Sequence, residues 1–235
     1  VVTISSGEDG QTVISGFTIT GGDAGGVRIS GSAPALRDLI ITGNTATQGA
    51  GIHASHATLD AERLPIVDTG TLVPSGLNSE TYLTIAGGGL FTVNTGGRIV
   101  SSVIRGNAGA FGGGAYVRDS GTLSFINTLI AENRNATGTL YANSSSPRII
   151  NSTISGNDTY AIFTTFNAEP EVENSILAGN GGPVFSTEIA GNGQVSIRYS
   201  LLEGGIFTDV VVGEGVVSGP ALLDADYRPQ PGSPA

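Results

Sequence analysis

Three groups of side chains in this sequence are of types and spacings that could do chemistry. Glu169-Pro-Glu171-Val-Glu173 sets carboxylates at alternate positions, a pattern that on one strand face could hold a hard cation or share acid and base work. His53-Ala-Ser-His56, with Asp60 and Glu62 following, offers nitrogen and oxygen ligands of the kind zinc takes. Helical spacing is what makes a histidine pair persuasive as a metal site. Here the text reads as a strand running into a turn, so surface histidines are the simpler reading. The third group is aromatic: Phe91, Tyr116, Tyr141, Phe163, Phe185 and Phe207. The chain has no cysteine and its ten cationic side chains are all arginine, which leaves no thiolate and no lysine for a Schiff base or a lysine base. No metal and no cofactor is expected.

The elements that position these groups follow from composition and repetition. With 37 glycines in 235 residues, the chain is unlike an ordinary globular domain. Twenty acidic residues against ten arginines give a formal charge of −10 with no cluster of arginines, so nucleic acid and anionic membranes are poor partners. No window is apolar for the length of a spanning helix, and no signal segment opens the chain, so it reads as a processed or partial piece of a larger soluble protein.

The stretch Asn151-Ser-Thr-Ile-Ser-Gly-Asn157 recurs. Its last residue aligns with Gly22, Asn44, Asn107, Asn133, Asn180 and Gly205, mostly at steps of 22 to 26 residues, and one long step hides a further coil from about Ala57 to Thr95. Such a period marks a solenoid in which each repeat is one coil. Three positions earlier stands an aliphatic column, Ile19, Ile41, Ile104, Ile130, Ile154, Leu177 and Leu202. Eight positions earlier stands another, Ile14, Leu36, Ile99, Phe125, Ile149, Val172 and Ile197. Short β-branched runs bounded by Gly, Asn and Ser are strands. Asn44, Asn107, Asn133, Asn157 and Asn180 form a structural column at a turn, tolerating left-handed backbone and bonding amide to amide along the stack. A second polar column, Asp38, Ser101, Asn127, Asn151 and Asn174, is expected to do the same. In this register Glu171 lies one coil from Arg148 and Glu173 one coil from Arg198, which favours cross-strand ion pairs over a cation site.

A third wall follows each Asn, with Val27, Ile52, Leu90, Ala115, Leu140, Ile162, Val184 and Ile206 inward. The next residue in each coil points the other way. That column reads Arg28, His53, Phe91, Tyr116, Tyr141, Phe163, Phe185 and Phe207, and it is the candidate contact face. An apolar stripe of this length needs an occupant. Three remain open: another part of the same protein, a partner protein or another copy of the chain, or a glycan lying along the rings. The link from Asn to this wall shortens from eight residues after Asn44 and Asn107 to four after Asn180, so longer loops rim the N-terminal half.

The segments Gly88-Gly89-Leu90 and Gly112-Gly113-Gly114-Ala115, paired with Asn151 to Asn157, resemble right-handed parallel β-helix repeat proteins of bacterial surfaces, of the polymorphic outer-membrane-protein and choice-of-anchor types. The tail from Asp224 to Ala235 is similar to the closing motif of the latter. The reading is therefore all-β: a right-handed single-stranded parallel β-helix of about eight coils with three short strands each, on the order of 40 Å long. It should occupy residues 1–212 with an insertion at about 68–85, and residues 213–235 should form a C-terminal closing or capping segment, with Asp224 and Asp226 in it. The resemblance implies an extracellular or cell-surface bacterial location and a non-catalytic structural or adhesin-like role. The alternative is a carbohydrate-active β-helix, lyase-like or hydrolase-like, binding a glycan along the same stripe. Outside Glu171 and Glu173 no column brings two carboxylates together for such catalysis.

Overall fold

The computed structural model describes residues 1–71, 85–181, 188–204 and 210–235. Val184, Phe185, Ile206, Phe207 and most of the expected insertion lie outside the described residues.

Every coil lays a short strand against the same strand of the next coil, in parallel and in register. Three sheets of eight, nine and nine strands result. The first contains Ile52–Ser55, Leu90–Val93, Ala115–Arg118, Leu140–Asn143 and Ile162–Thr165; the second Thr58–Glu62, Gly96–Val100, Leu123–Ile126, Arg148–Ile150 and Glu171–Glu173; the third Pro65–Val67, Val103–Arg105, Leu129–Ala131, Thr153–Ser155 and Ile176–Ala178. Because the repeat is a translation along the axis, equivalent residues stack on one another. Ile41, Ile66, Ile104, Ile130, Ile154, Leu177 and Leu202 follow in one unbroken register, all fully buried. Burying such side chains stabilises the rod by about 1.5–3 kcal/mol each relative to leaving them in water.

Three findings depart from the expected geometry. A fourth sheet, made of Thr45–Ala46, Gly70–Thr71, Ala108–Phe111 and Arg134–Thr137, forms in the longer links between the third and first sheets. The second polar column is displaced by one residue: Asp38, Ser101, Asn127, Asn151 and Asn174 are the left-handed corner residues (φ 49–52°), and the buried polar stack is built by the successors of the last four. There Thr128 N–H donates to Ser152 Oγ, Ser152 N–H to Ser175 Oγ and Ser175 N–H to Ser200 Oγ, each at 3.0 Å. Likewise Gly156, not Asn157, takes the positive φ at the Asn corner. Finally, the coil continues past residue 212: Val217–Ser218 still pairs with Leu201–Leu202. The tail then turns back along the outside of the third sheet, where Ala221 and Leu223 pack on Ala178, Leu201 and Ile176. Asp224 does not cap the core. Its Oδ1 accepts from the Asp226 and Arg228 N–H groups and shapes a hairpin whose Tyr227 hydroxyl donates to Glu132 at 2.7 Å.

Candidate functional site

In the Asn column each amide serves two coils. Asn133 Oδ1 accepts from Asn107 N–H at 3.0 Å, and its Nδ2 donates to the carbonyl of Ile104 at 3.0 Å. Asn157 and Asn180 repeat the pattern, and Asn44 does so for Gly22 and Ile19. In the coil the sequence hid, Thr69 takes the place of the asparagine and donates to Asn107 Oδ1. These corners are fully buried, where an unpaired backbone group costs about 1–3 kcal/mol, so the amide serves structure.

After Asn180 the ladder ends on a residue the repeat did not single out. Glu188 is 4% exposed, and its carboxyl accepts from Asn180 Nδ2 at 2.6 Å and from Asn180 N–H at 3.4 Å. Burial pushes its pKa up to about 7 against the pull of the Asn180 hydrogen bonds, and Glu203 adds to the rise. The only hint in the sequence is that Gly205 offers no amide at the next coil.

The aromatic column points away from the core, as its alternation with Leu90, Ala115, Leu140 and Ile162 requires. Its rings stack along the axis: His53 to Phe91 at 5.0 Å, Phe91 to Tyr116 at 5.3 Å, Tyr116 to Tyr141 at 5.0 Å, and Tyr141 to Phe163 at 5.2 Å. Arg28 precedes His53 in the same column. Burial, joined by the charge of Arg28, holds the His53 pKa below the usual imidazole value. The next position after Phe163 in this sheet is Ala190, in the strand Ile189–Gly191; Phe185, expected in the column, lies outside the described residues.

The column is covered along part of its length. Phe91 is 4% and Tyr141 8% exposed. The links carrying the fourth sheet run against the rings: Phe111 meets Tyr141 edge-on at 5.5 Å and 83°. At Gly138 (φ 61°) an added Cβ would fall 2.4 Å from the Phe163 Cβ. Arg28, His53, Tyr116 and Phe163 stay half-buried, and Tyr116 Oη accepts from Asn143 Nδ2 at 3.0 Å.

The acidic and histidine groups are drawn apart from one another. Arg148 Nε meets Glu171 at 3.0 Å and Arg198 Nη2 meets Glu173 at 2.8 Å, the cross-coil pairs the register required. Asp60 is held by Arg37 and Arg98, and Glu62 by Arg37 and Arg63. His56 sits in a left-handed corner beside Asn94. Among the described residues no group of three or more His, Cys, Asp or Glu is placed to hold a metal ion, and no helix is long and apolar enough to cross a membrane.

Residues 79–212, more than half of the chain, match the family model for the right handed beta helix region. The chain belongs to the right-handed β-helix family. No curated protein and no solved structure matches it. The stacked register, the three core columns and the absence of any helix among the described residues are those of a right-handed β-helix. That fold is consistent with a surface or carbohydrate-related module and hosts unrelated functions, so function must be argued from side chains.

Proposed function

We propose that this β-helix is a non-catalytic, adhesin-like module of an extracellular or cell-surface protein, with a bacterial surface as its setting. The observation that carries the reading is the buried polar ladder running from coil to coil through Asn107, Asn133, Asn157 and Asn180. A rod whose coils from Asn107 to Asn180 are cross-linked by buried hydrogen bonds holds an outer surface at fixed geometry, which suits presentation of a contact face. The aromatic column serves mainly as the brace on which the fourth sheet rests, with Arg28, His53, Tyr116 and Phe163 as its accessible edge. Cover by the same chain at Phe91 and Tyr141 supports that division. The carbohydrate-active alternative would draw its acid and base from Glu171 and Glu173, each of which already holds an arginine.

Beads coated with the chain, passed over immobilised glycans and matrix proteins, test the proposal, with reducing-end release measured on the same glycans. Retention without release of new reducing ends is expected. Release of products, or retention no better than uncoated beads, overturns it.

A further inference from the structure

The asparagine ladder changes chemistry at its last rung. Asn107, Asn133 and Asn157 each donate their N–H to an amide oxygen of the next coil, whereas Asn180 donates to the Glu188 carboxyl, from Nδ2 at 2.6 Å and from N–H at 3.4 Å. That carboxyl is 4% exposed. Its surroundings hold no cation: Gly179 and Asn180 are neutral, the strands Ile162–Thr165, Ile176–Ala178 and Ile189–Gly191 carry no charged residue, and the charged group that reaches it is the Glu203 carboxylate after Leu201–Leu202. Among the described residues no arginine pairs with Glu188 or Glu203. Ionised in place, Glu188 is a buried anion without a counter-charge, which is costly.

The same rung is tied to the tail. Asn180 Nδ2 has two protons and three acceptors in reach, the Ile154 carbonyl at 2.8 Å, the Ala178 carbonyl at 3.2 Å and Glu188 at 2.6 Å. A carboxylate accepts more strongly than a neutral group, so ionisation also draws the amide away from the carbonyls that seat it in the corner. Ala178 packs with Leu201 and with Ala221 of the tail, and Ile176 and Leu223 complete the cluster. Ile176 and Ala178 lie in the coil before Glu188, and Leu201 in the coil that Glu188 starts. The tail hairpin therefore lies across the joint that the Asn180–Glu188 contact closes.

We propose that Glu188 is a proton-operated latch on the C-terminal end of the rod. Protonated, it closes the joint between the coil of Ile176–Ala178 and the coil of Leu201–Leu202 beneath the hairpin. Ionised, it leaves for water, and the last coil and the hairpin open together, baring Ile176 and Leu201 on the outside of the third sheet. Burial holds the carboxyl at about 7 in the closed form, against an ordinary 4.5 once open. The hold is therefore complete below pH 4.5, is lost as pH rises from 4.5 to about 7, and changes no further above that. Glu203 strengthens the device, because its like charge favours the protonated form.

Hydrogen exchange of the full chain, read by mass spectrometry from pH 5 to 8, tests the latch. Wild-type rates are divided by those of Glu188→Gln at the same pH, so that intrinsic exchange cancels. For the amides of residues 195–203 and 217–230 this ratio should rise on the order of 50-fold between pH 5 and 8 and flatten above about 7. In the wild type these amides should also exchange faster than global unfolding in urea permits, while those of Leu123–Ile126 should not. Glu203→Gln keeps the latch residue and removes the like charge, so its profile, corrected for intrinsic exchange, should flatten at a lower pH than that of the wild type. This variant carries the test if Glu188→Gln does not fold. A ratio that is independent of pH, C-terminal exchange no faster than global unfolding, or a Glu203→Gln profile that coincides with the wild type overturns the proposal.

Discussion

Replacing Glu188 with Gln should change how the stability of this β-helix depends on pH. The wild-type carboxyl sits 4% exposed at the end of the asparagine ladder, where burial raises its pKa from 4.5 to about 7. Below pH 4.5 the group is protonated in both folded and unfolded chains and adds no pH dependence. Between pH 4.5 and about 7 the unfolded chain gives up its proton while the folded chain keeps it, so stability falls as pH rises. At 1.36 kcal/mol per pKa unit the loss approaches about 3 kcal/mol at and above pH 7. Glutamine cannot ionise, and its side-chain oxygen can still accept from Asn180 as the next asparagine would. Urea unfolding of both proteins from pH 4 to 8 isolates the effect as a difference, since all other titrating groups are common to the two. The Glu188→Gln variant should gain on the wild type steadily between pH 4.5 and 7 and run parallel to it below. A difference that stays flat across that window would refute the reasoning, because it would mean the carboxyl is not desolvated where it ends the ladder.

Asn133→Ala strands the Asn107 N–H and the Ile104 carbonyl inside the rod and should cost about 2–4 kcal/mol in chemical denaturation. Asn151→Gly, at an exposed left-handed corner (φ 51°), should stay within about 1 kcal/mol of wild type in the same measurement. Gly112→Ala would place a Cβ 2.3 Å from the Ala115 carbonyl at φ 60°, so the link must shift off the ring column; tyrosine fluorescence should become more accessible to acrylamide, with a stability loss of about 1–3 kcal/mol. Deleting residues 220–235 should bare Ile176 and Leu201 and raise dye binding to exposed apolar surface, while far-ultraviolet circular dichroism keeps its β signature.

Several positions could be placed from the sequence because a β-helix is a translation. Once Asn157 is aligned with Asn133 and Asn180, every residue at a given offset must share a column, so Ile154 goes inward and Glu171 meets Arg148 without further information. The same rule held while the link to the first sheet shortened as far as Ile162, and lost the strand at the longer link after Asn180. Spacing alone puts Val184 and Phe185 on the next rung after Ile162 and Phe163, whereas the strand paired with those two residues is Ile189–Gly191. Spacing likewise puts Asn151 rather than Ser152 in the stack. Both are polar, and only the left-handed backbone at Asn151 turns the serine inward.

Local residue chemistry and a nearly constant period determined the coil, its three core columns and the cross-coil ion pairs, since equivalent positions above and below make each repeat a template for the next. Tertiary structure alone decided which of the outward residues remain in contact with water. The rings from Phe91 to Phe163 look the same in the sequence, yet Phe91 and Tyr141 are buried, with Phe111 of the fourth sheet against Tyr141, while Tyr116 and Phe163 stay half-buried. Burial on the outside of a rod depends on where links of unequal length come to rest, and the translational repeat carries no record of that.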